Sequence, residues 1–156
     1  MDGAAVSHME IWSLFVSLTL AAAQIIVRDG LAHARHAGMK PLTVVVLDAR
    51  AAVVAAASED GSSLRRFEIA KAKAEGALAF NTGSRKLGEM AVERPHFFAG
   101  AAHVLGGVVP VAGGVLIKDA AGQVIGAAGV SGDNSDNDEA AAVAGIKAAG
   151  LAADGG

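Results

Sequence analysis

Apolar and polar positions recur with two different periods along the chain, and each change of period marks a new element. Leu20, Ala23, Ile26, Val27, Leu31 and Ala34 are spaced by three or four residues, which places them on one face of a helix. Thr19 stands where its N-cap belongs, and Gly38 with Pro41 ends the run. The stretches LTVVVLD (42–48) and AVVAAAS (52–58) are short, rich in β-branched residues and joined by a turn around Ala49 to Ala51, so they predict a β-hairpin. A long helix is expected from Leu64 to about Phe80, opened by Ser62 or Ser63. Leu64, Phe67, Ala74, Ala77 and Leu78 would face its core, and Arg65, Arg66, Lys71 and Glu75 would face water. NTGS (81–84) stops it, and Ser84 is expected to cap a short helix from Arg85 to Val92. The following segment, ERPHFFAGAAHVLGG (93–107), reads as irregular, because it contains glycines and Pro95 forbids a continuing helix. GGVLIKD (113–119) and QVIGAAGV (123–130) predict two more strands, and a final helix starts near Asp136 and runs through Val143 and Ile146 towards Leu151. The order α-β-β-α-α-β-β-α, with hairpin-length connections, predicts an antiparallel sheet covered by helices, the α+β class.

Composition adds scale to this pattern. At 156 residues the chain fits one domain, expected over 17–156 after a leader at 1–16. Apolar residues make up 53% of it but aromatics only 4%, and 20 glycines are present, so the core must be built from small side chains with closely packed backbones. A mean hydropathy of +0.43 is high for a soluble monomer. Contact between subunits removes excess apolar surface from water, so a homo-oligomer is expected. A net charge of −3, with no basic cluster, lacks the electrostatic footprint of a nucleic-acid binder. The absence of cysteine excludes disulfides, thiolate metal ligands and cysteine nucleophiles. The apolar run from Ile11 to Val27 follows no basic segment and is interrupted by Ser13, Ser17 and Thr19. It therefore reads as the first element of the domain rather than a secretion signal or membrane span, and a cytoplasmic protein with no membrane partner is expected.

The C-terminal third carries a distinctive combination: the pair Gly113-Gly114, a strand, a tight turn, a second strand with Gly126, then GVSG (129–132) and Asp138-Glu139 at a helix start. Upstream stand LTLAAAQ (18–24), TVVVLD (43–48), IAKAKAEGA (69–77) and SRKL (84–87), followed by Arg94-Pro95. Together these resemble the GlcG/HbpS family, which includes heme-binding proteins and the C-terminal domain of PduO-type corrinoid adenosyltransferases. The resemblance runs from about Ser17 to Leu151. It implies a profilin-like or PAS-like five-stranded antiparallel sheet flanked by helices, oligomers built from dimers, and heme as a ligand. Two positions depart from the family pattern: DARAAV (48–53) stands in the first hairpin where glycines are common, and Gly76 stands where a threonine is common.

The acidic segment after GVSG holds Asp133, Asp136, Asp138 and Glu139. Counted as an EF-hand from Asp133, it puts Asp138 where glycine is required and Ala144 where glutamate is required, so it is not a calcium loop and no metal site is expected. Asp136 and Glu139 instead have the spacing of a capping box. A second reading takes the GVSG amides and the Ser131 hydroxyl as a cradle for an anion. His33 and His36 share a helix face and are candidate heme ligands, or else a solvated pair near a helix end. Arg94, His96, Phe97 and Phe98 place a guanidinium, an imidazole and two rings side by side, a set suited to a flat anionic ligand; the alternative is that the phenylalanines fill the core and Arg94 pairs with a carboxylate. Lys73 falls on the lysine of the family's helix motif, as either a ligand contact or base, or a salt-bridge partner, and Gly113 and Gly114 join it as candidate contacts.

These observations lead to a protein that binds heme or a related flat anionic small molecule, between the helix around Lys73 and the segment Arg94 to Phe98. The alternatives are a small cofactor-independent enzyme of a catabolic pathway, or a non-catalytic accessory subunit. The enzyme would act on a carboxylate or aromatic-derived metabolite, with Lys73, Arg94, His96 and Glu139 as acid–base and binding groups. No Ser–His–acid, HExxH or P-loop pattern supports the enzymatic alternative.

Overall fold

In the computed structural model, residues 18–156 are described; the expected leader at 1–16 lies outside the described residues. The chain runs α1 (Leu20–His36), β1 (Thr43–Asp48), β2 (Val53–Ser58), α2 (Arg66–Phe80), α3 (Ser84–Glu93), α4 (Pro95–Leu105), β3 (Gly114–Lys118), β4 (Val124–Ser131), α5 (Ser135–Ala148) and β5 (Ala152–Asp154). The strands form one antiparallel sheet in the order β2-β1-β4-β3-β5, as the α+β reading requires. Side chains alternate across it. Val44, Val46, Val115, Ile117, Ala128 and Val130 pack against α1 and α5 on one face. Val45, Leu47, Leu116 and Ala127 meet Ala70, Ala74 and Ala77 of α2 on the other. Because β1 is buried on both faces, its run of β-branched residues is continuous rather than alternating with polar ones.

Thr19 caps α1 as expected, its hydroxyl accepting from the Ala22 amide at 3.1 Å. Three other helix starts differ from the sequence reading. The helix α2 begins at Arg66, after Arg65 in the left-handed region with φ 73°, and no side chain caps it. Ser62 donates instead to the Leu42 carbonyl, and Ser63 accepts from the Arg66 side chain. Leu64, expected in the core, is therefore left 88% exposed, and Phe67 is also exposed. At α3 the cap position is Gly83, and Ser84 turns inward, donating to the Val111 carbonyl at 2.6 Å and accepting from the Gly114 amide at 2.7 Å. At α5 the cap is Asn134, which accepts from the Asn137 amide at 2.9 Å, in place of the expected Asp136–Glu139 box.

The segment expected to be irregular forms α4. Pro95 sits at its first turn, where the missing N–H costs nothing and the fixed φ favours the helix. The break falls one residue earlier, at Arg94, whose φ of −134° and ψ of 61° end α3 and lead into α4. The fifth strand spans three residues, too few for the period of two to register in the sequence; it pairs with β3 at Leu116–Lys118.

Candidate functional site

The expected site residues fall into three places: one closed, one open, and the exposed end of α1 that carries His33 and His36. The closed place is the seam between α2 and the β3–β4 pair. Gly114 lies opposite Gly129 in that pair. A Cβ on Gly129 would lie 1.8 Å from the Ala70 carbonyl oxygen, and one on Gly114 would lie 2.2 Å from that of Lys73. The helix backbone therefore rests directly on the sheet backbone, and these glycines are required for that approach. Gly113, with φ 122°, leaves the passage through which the Lys73 side chain leaves α2; a Cβ there would lie 2.8 Å from Nζ. Lys73 Nζ donates to the Val130 carbonyl at 3.0 Å and to Asp138 Oδ2 at 2.9 Å. Lys73 and Asp138 are both almost fully buried. The second oxygen of Asp138 accepts from the Asp133 amide at 3.0 Å. Burial pushes the Asp138 carboxyl above its ordinary value, against the opposing pull of the Lys73 ammonium.

The GVSG segment ends strand β4, with Gly129, Val130 and Ser131 paired to β1. Ser131 is buried and its hydroxyl accepts from the Arg66 guanidinium at 3.2 Å. The backbone amide just beyond GVSG, that of Asp133, is taken by the chain's own carboxylate, Asp138. Glu139 accepts from Arg85 of α3 at 3.2 Å, and Asp136 does so at 2.5 Å. These two carboxylates, Asp136 foremost, raise the pKa of the Arg85 guanidinium.

The open place is built on α4. Only Phe98 of this apolar helix is buried, stacking on Phe80 of α2 with ring centroids 5.9 Å apart. Phe97 is about half exposed, and the Arg94 guanidinium lies over its ring at 4.3 Å from the centroid. His96 is exposed, and among the described residues no hydrogen bond fixes its ring. A cleft of about 430 Å³ opens between α2 and α4, lined by Phe80, His96, Phe97, Gly100, Ala101 and Val104. A second, of about 390 Å³, lies between α2, the β1–β2 turn and the chain after α4, lined by Arg50, Glu75, Gly76, Leu78, Gly107 and Val108 among others. Ala79 and Leu105 line both, so the two clefts of this open groove adjoin at these apolar residues.

Of Arg94, His96, Phe97 and Phe98, only His96 and Phe97 line the cleft; Arg94 stacks on Phe97 outside the lining, and Phe98 is buried against Phe80, as the core-filling alternative has it. Lys73, Gly113 and Gly114 lie together in the seam, and none of them lines the groove. His33 and His36 are exposed near the end of α1, the helix packed on the opposite sheet face from α2. Among the described residues no group of three or more His, Asp or Glu side chains is placed to hold a metal ion. Sequence reasoning missed Arg50, Phe80, Val104 and Leu105. The spacing of Phe97, Ala101 and Val104, four and three residues apart, was the available signal, and reading Pro95 as a terminator concealed it.

The model of the HbpS-like family, described as haem degrading protein HbpS-like, matches residues 18–147. A search of curated proteins found none that matches the chain. Among solved structures the chain is similar to the PduOC:heme complex, at 25% identity and a TM-score of 0.77, covering 87% of this chain and 97% of that one. It is also similar to HbpS, at 26% identity and a TM-score of 0.74, covering 94% and 95% respectively. The protein ORFY of Klebsiella pneumoniae shares the fold at 21% identity and a TM-score of 0.74, covering 85% and 90%. No described helix is long and apolar enough to cross a membrane.

Proposed function

The chain belongs to the HbpS-like family, and from that premise we propose that it binds heme, or a flat anionic ligand of the same kind, in the groove between α2 and α4. The observation that carries this reading is the exposed His96 imidazole beside an apolar groove walled by Phe80 and Phe97. The residues present suit such a group. Neutral imidazole is a ligand for heme iron, and the apolar side chains of Ala79, Phe80, Phe97 and Leu105 suit the face of a macrocycle. Heme held there would supply iron-centred redox chemistry. The protein's own part is to exclude water from one face of the ring and to present the imidazole to it. The PduOC:heme complex, a relative in structure, supports the same reading.

Lys73 has a structural task in this account. Its ammonium is committed to Val130 and Asp138, so acting as a base would mean breaking a buried pair. Val92 and Val104, 82% and 83% exposed on α3 and α4, favour self-association, in line with a homo-oligomer.

Titration of the purified protein with hemin tests the reading. A saturable Soret shift is expected in the wild type and in His33→Ala/His36→Ala, and its loss in His96→Ala. No shift in the wild type, or an unchanged one in His96→Ala, contradicts it.

A further inference from the structure

The cleft beside the C-terminal end of α4 has a cationic group, Arg50, on the β1–β2 turn. Asp48 builds that turn: its Oδ1 accepts from the amides of Arg50 and Ala52, and its Oδ2 from the Arg50 guanidinium at 3.0 Å. Ala51 is held in the left-handed region with φ 62°, an uncommon conformation for a residue with a Cβ. The result is an exposed guanidinium at the rim of the groove, paired with Asp48 through one side-chain donor within the described chain, out of the five that arginine carries. Glu75, the acidic residue of the same cleft, is engaged by Lys71 along α2.

We infer that Arg50 is a specificity-determining residue of the groove: it receives a carboxylate of the bound ligand and so selects a flat apolar molecule that carries an acid at one edge. This rests on the proposed ligand reading and adds its polarity. The acid edge lies at the β1–β2 turn, and the apolar body extends past Ala79 and Leu105 into the cleft where the His96 imidazole meets its face. Arginine is suited to the task because its planar fork matches a carboxylate with two parallel hydrogen bonds. Arg94 is placed differently, stacked on Phe97 at the other end.

The test compares binding of hemin with binding of hemin dimethyl ester, whose acids are masked, to the wild type, Arg50→Gln, Arg50→Lys and Arg94→Gln, followed by Soret absorbance. The wild type should prefer the free acid by about tenfold, the scale of one charge-assisted contact. In Arg50→Gln that preference should fall to about twofold or less with ester binding unchanged, whereas Arg50→Lys should keep part of it and Arg94→Gln all of it. A preference retained in Arg50→Gln, or one that collapses in Arg94→Gln instead, overturns the assignment while leaving ligand binding in the groove intact. Failure of the wild type to bind either compound overturns the assignment together with the reading beneath it.

Discussion

The seam under α2 and the groove beside α4 are both built from small and apolar residues, yet they behave oppositely. In the seam, Gly114 and Gly129 let two backbones touch, and the one charge that enters, Lys73, is met by a carboxylate and a carbonyl. In the groove, Gly100 has open space beside it, Val104 and Leu105 face outward, and the His96 imidazole lacks a partner among the described residues. The seam is saturated and therefore structural; the groove is unsaturated and therefore available. The part of the chain richest in family motifs is thus the closed one, while the proposed binding surface is a plain apolar helix.

The sharpest way to break this contrast is to disturb the charge in the seam. Lys73→Met leaves Asp138 buried without its cation and should cost about 3–5 kcal/mol of stability. Lys73→Met combined with Asp138→Leu should recover a large part of that loss, read by urea denaturation. If the single change costs less than about 1 kcal/mol, the pair is not the closed element described here.

Adding one methyl group to each region comes next. Gly129→Ala drives a Cβ against the Ala70 carbonyl and should destabilise by about 2–3 kcal/mol, since helix and sheet must separate. Gly100→Ala meets nothing within 4 Å and removes a helix-interior glycine, so it should stabilise by about 0.5–1 kcal/mol. Opposite signs from the same chemical change, measured by thermal melting, are the expected signature of a closed and an open surface.

The smallest effect is in the pH dependence, where the two regions again differ in sign. Burial opposes ionisation of Asp48, but the hydrogen bonds of Arg50 and Ala52 outweigh it and hold the carboxyl below its ordinary 3.8. A carboxyl depressed in the folded state stabilises fully above pH 3.8 and loses that contribution as pH falls through the folded value. The loss should stay under about 1 kcal/mol, and Asp48→Asn should remove it from an acid titration of stability. Asp138 works the other way: raised by burial, it binds its proton more readily when folded, so its contribution declines as pH rises above 3.8.

The fold was legible where one local rule governed. Thr19 capped α1, and β1, β2, β3 and β4 followed their β-branched runs. It was illegible where a tertiary contact chose among local options: Ser84 could cap a helix, but the Val111 carbonyl and Gly114 amide drew its hydroxyl inward. Pro95 both ended one helix and began another, and the sequence reading gave weight only to the first role. His96 and Phe97 were visible as neighbours because they adjoin in sequence, but nothing local showed that Phe98 turns into the core against Phe80. Arg50 reaches the adjoining cleft through the β1–β2 turn, and Lys73 meets Asp138 across 65 residues, separations that no local pattern spans.

The central claim is that the open groove, not the glycine seam, receives the ligand. Amide hydrogen exchange followed by mass spectrometry, with and without hemin, tests it most directly. Protection should appear in peptides covering residues 95–108 and the turn around Arg50, with exchange in residues 129–139 unchanged. Protection confined to residues 129–139, with 95–108 unaffected, would contradict it.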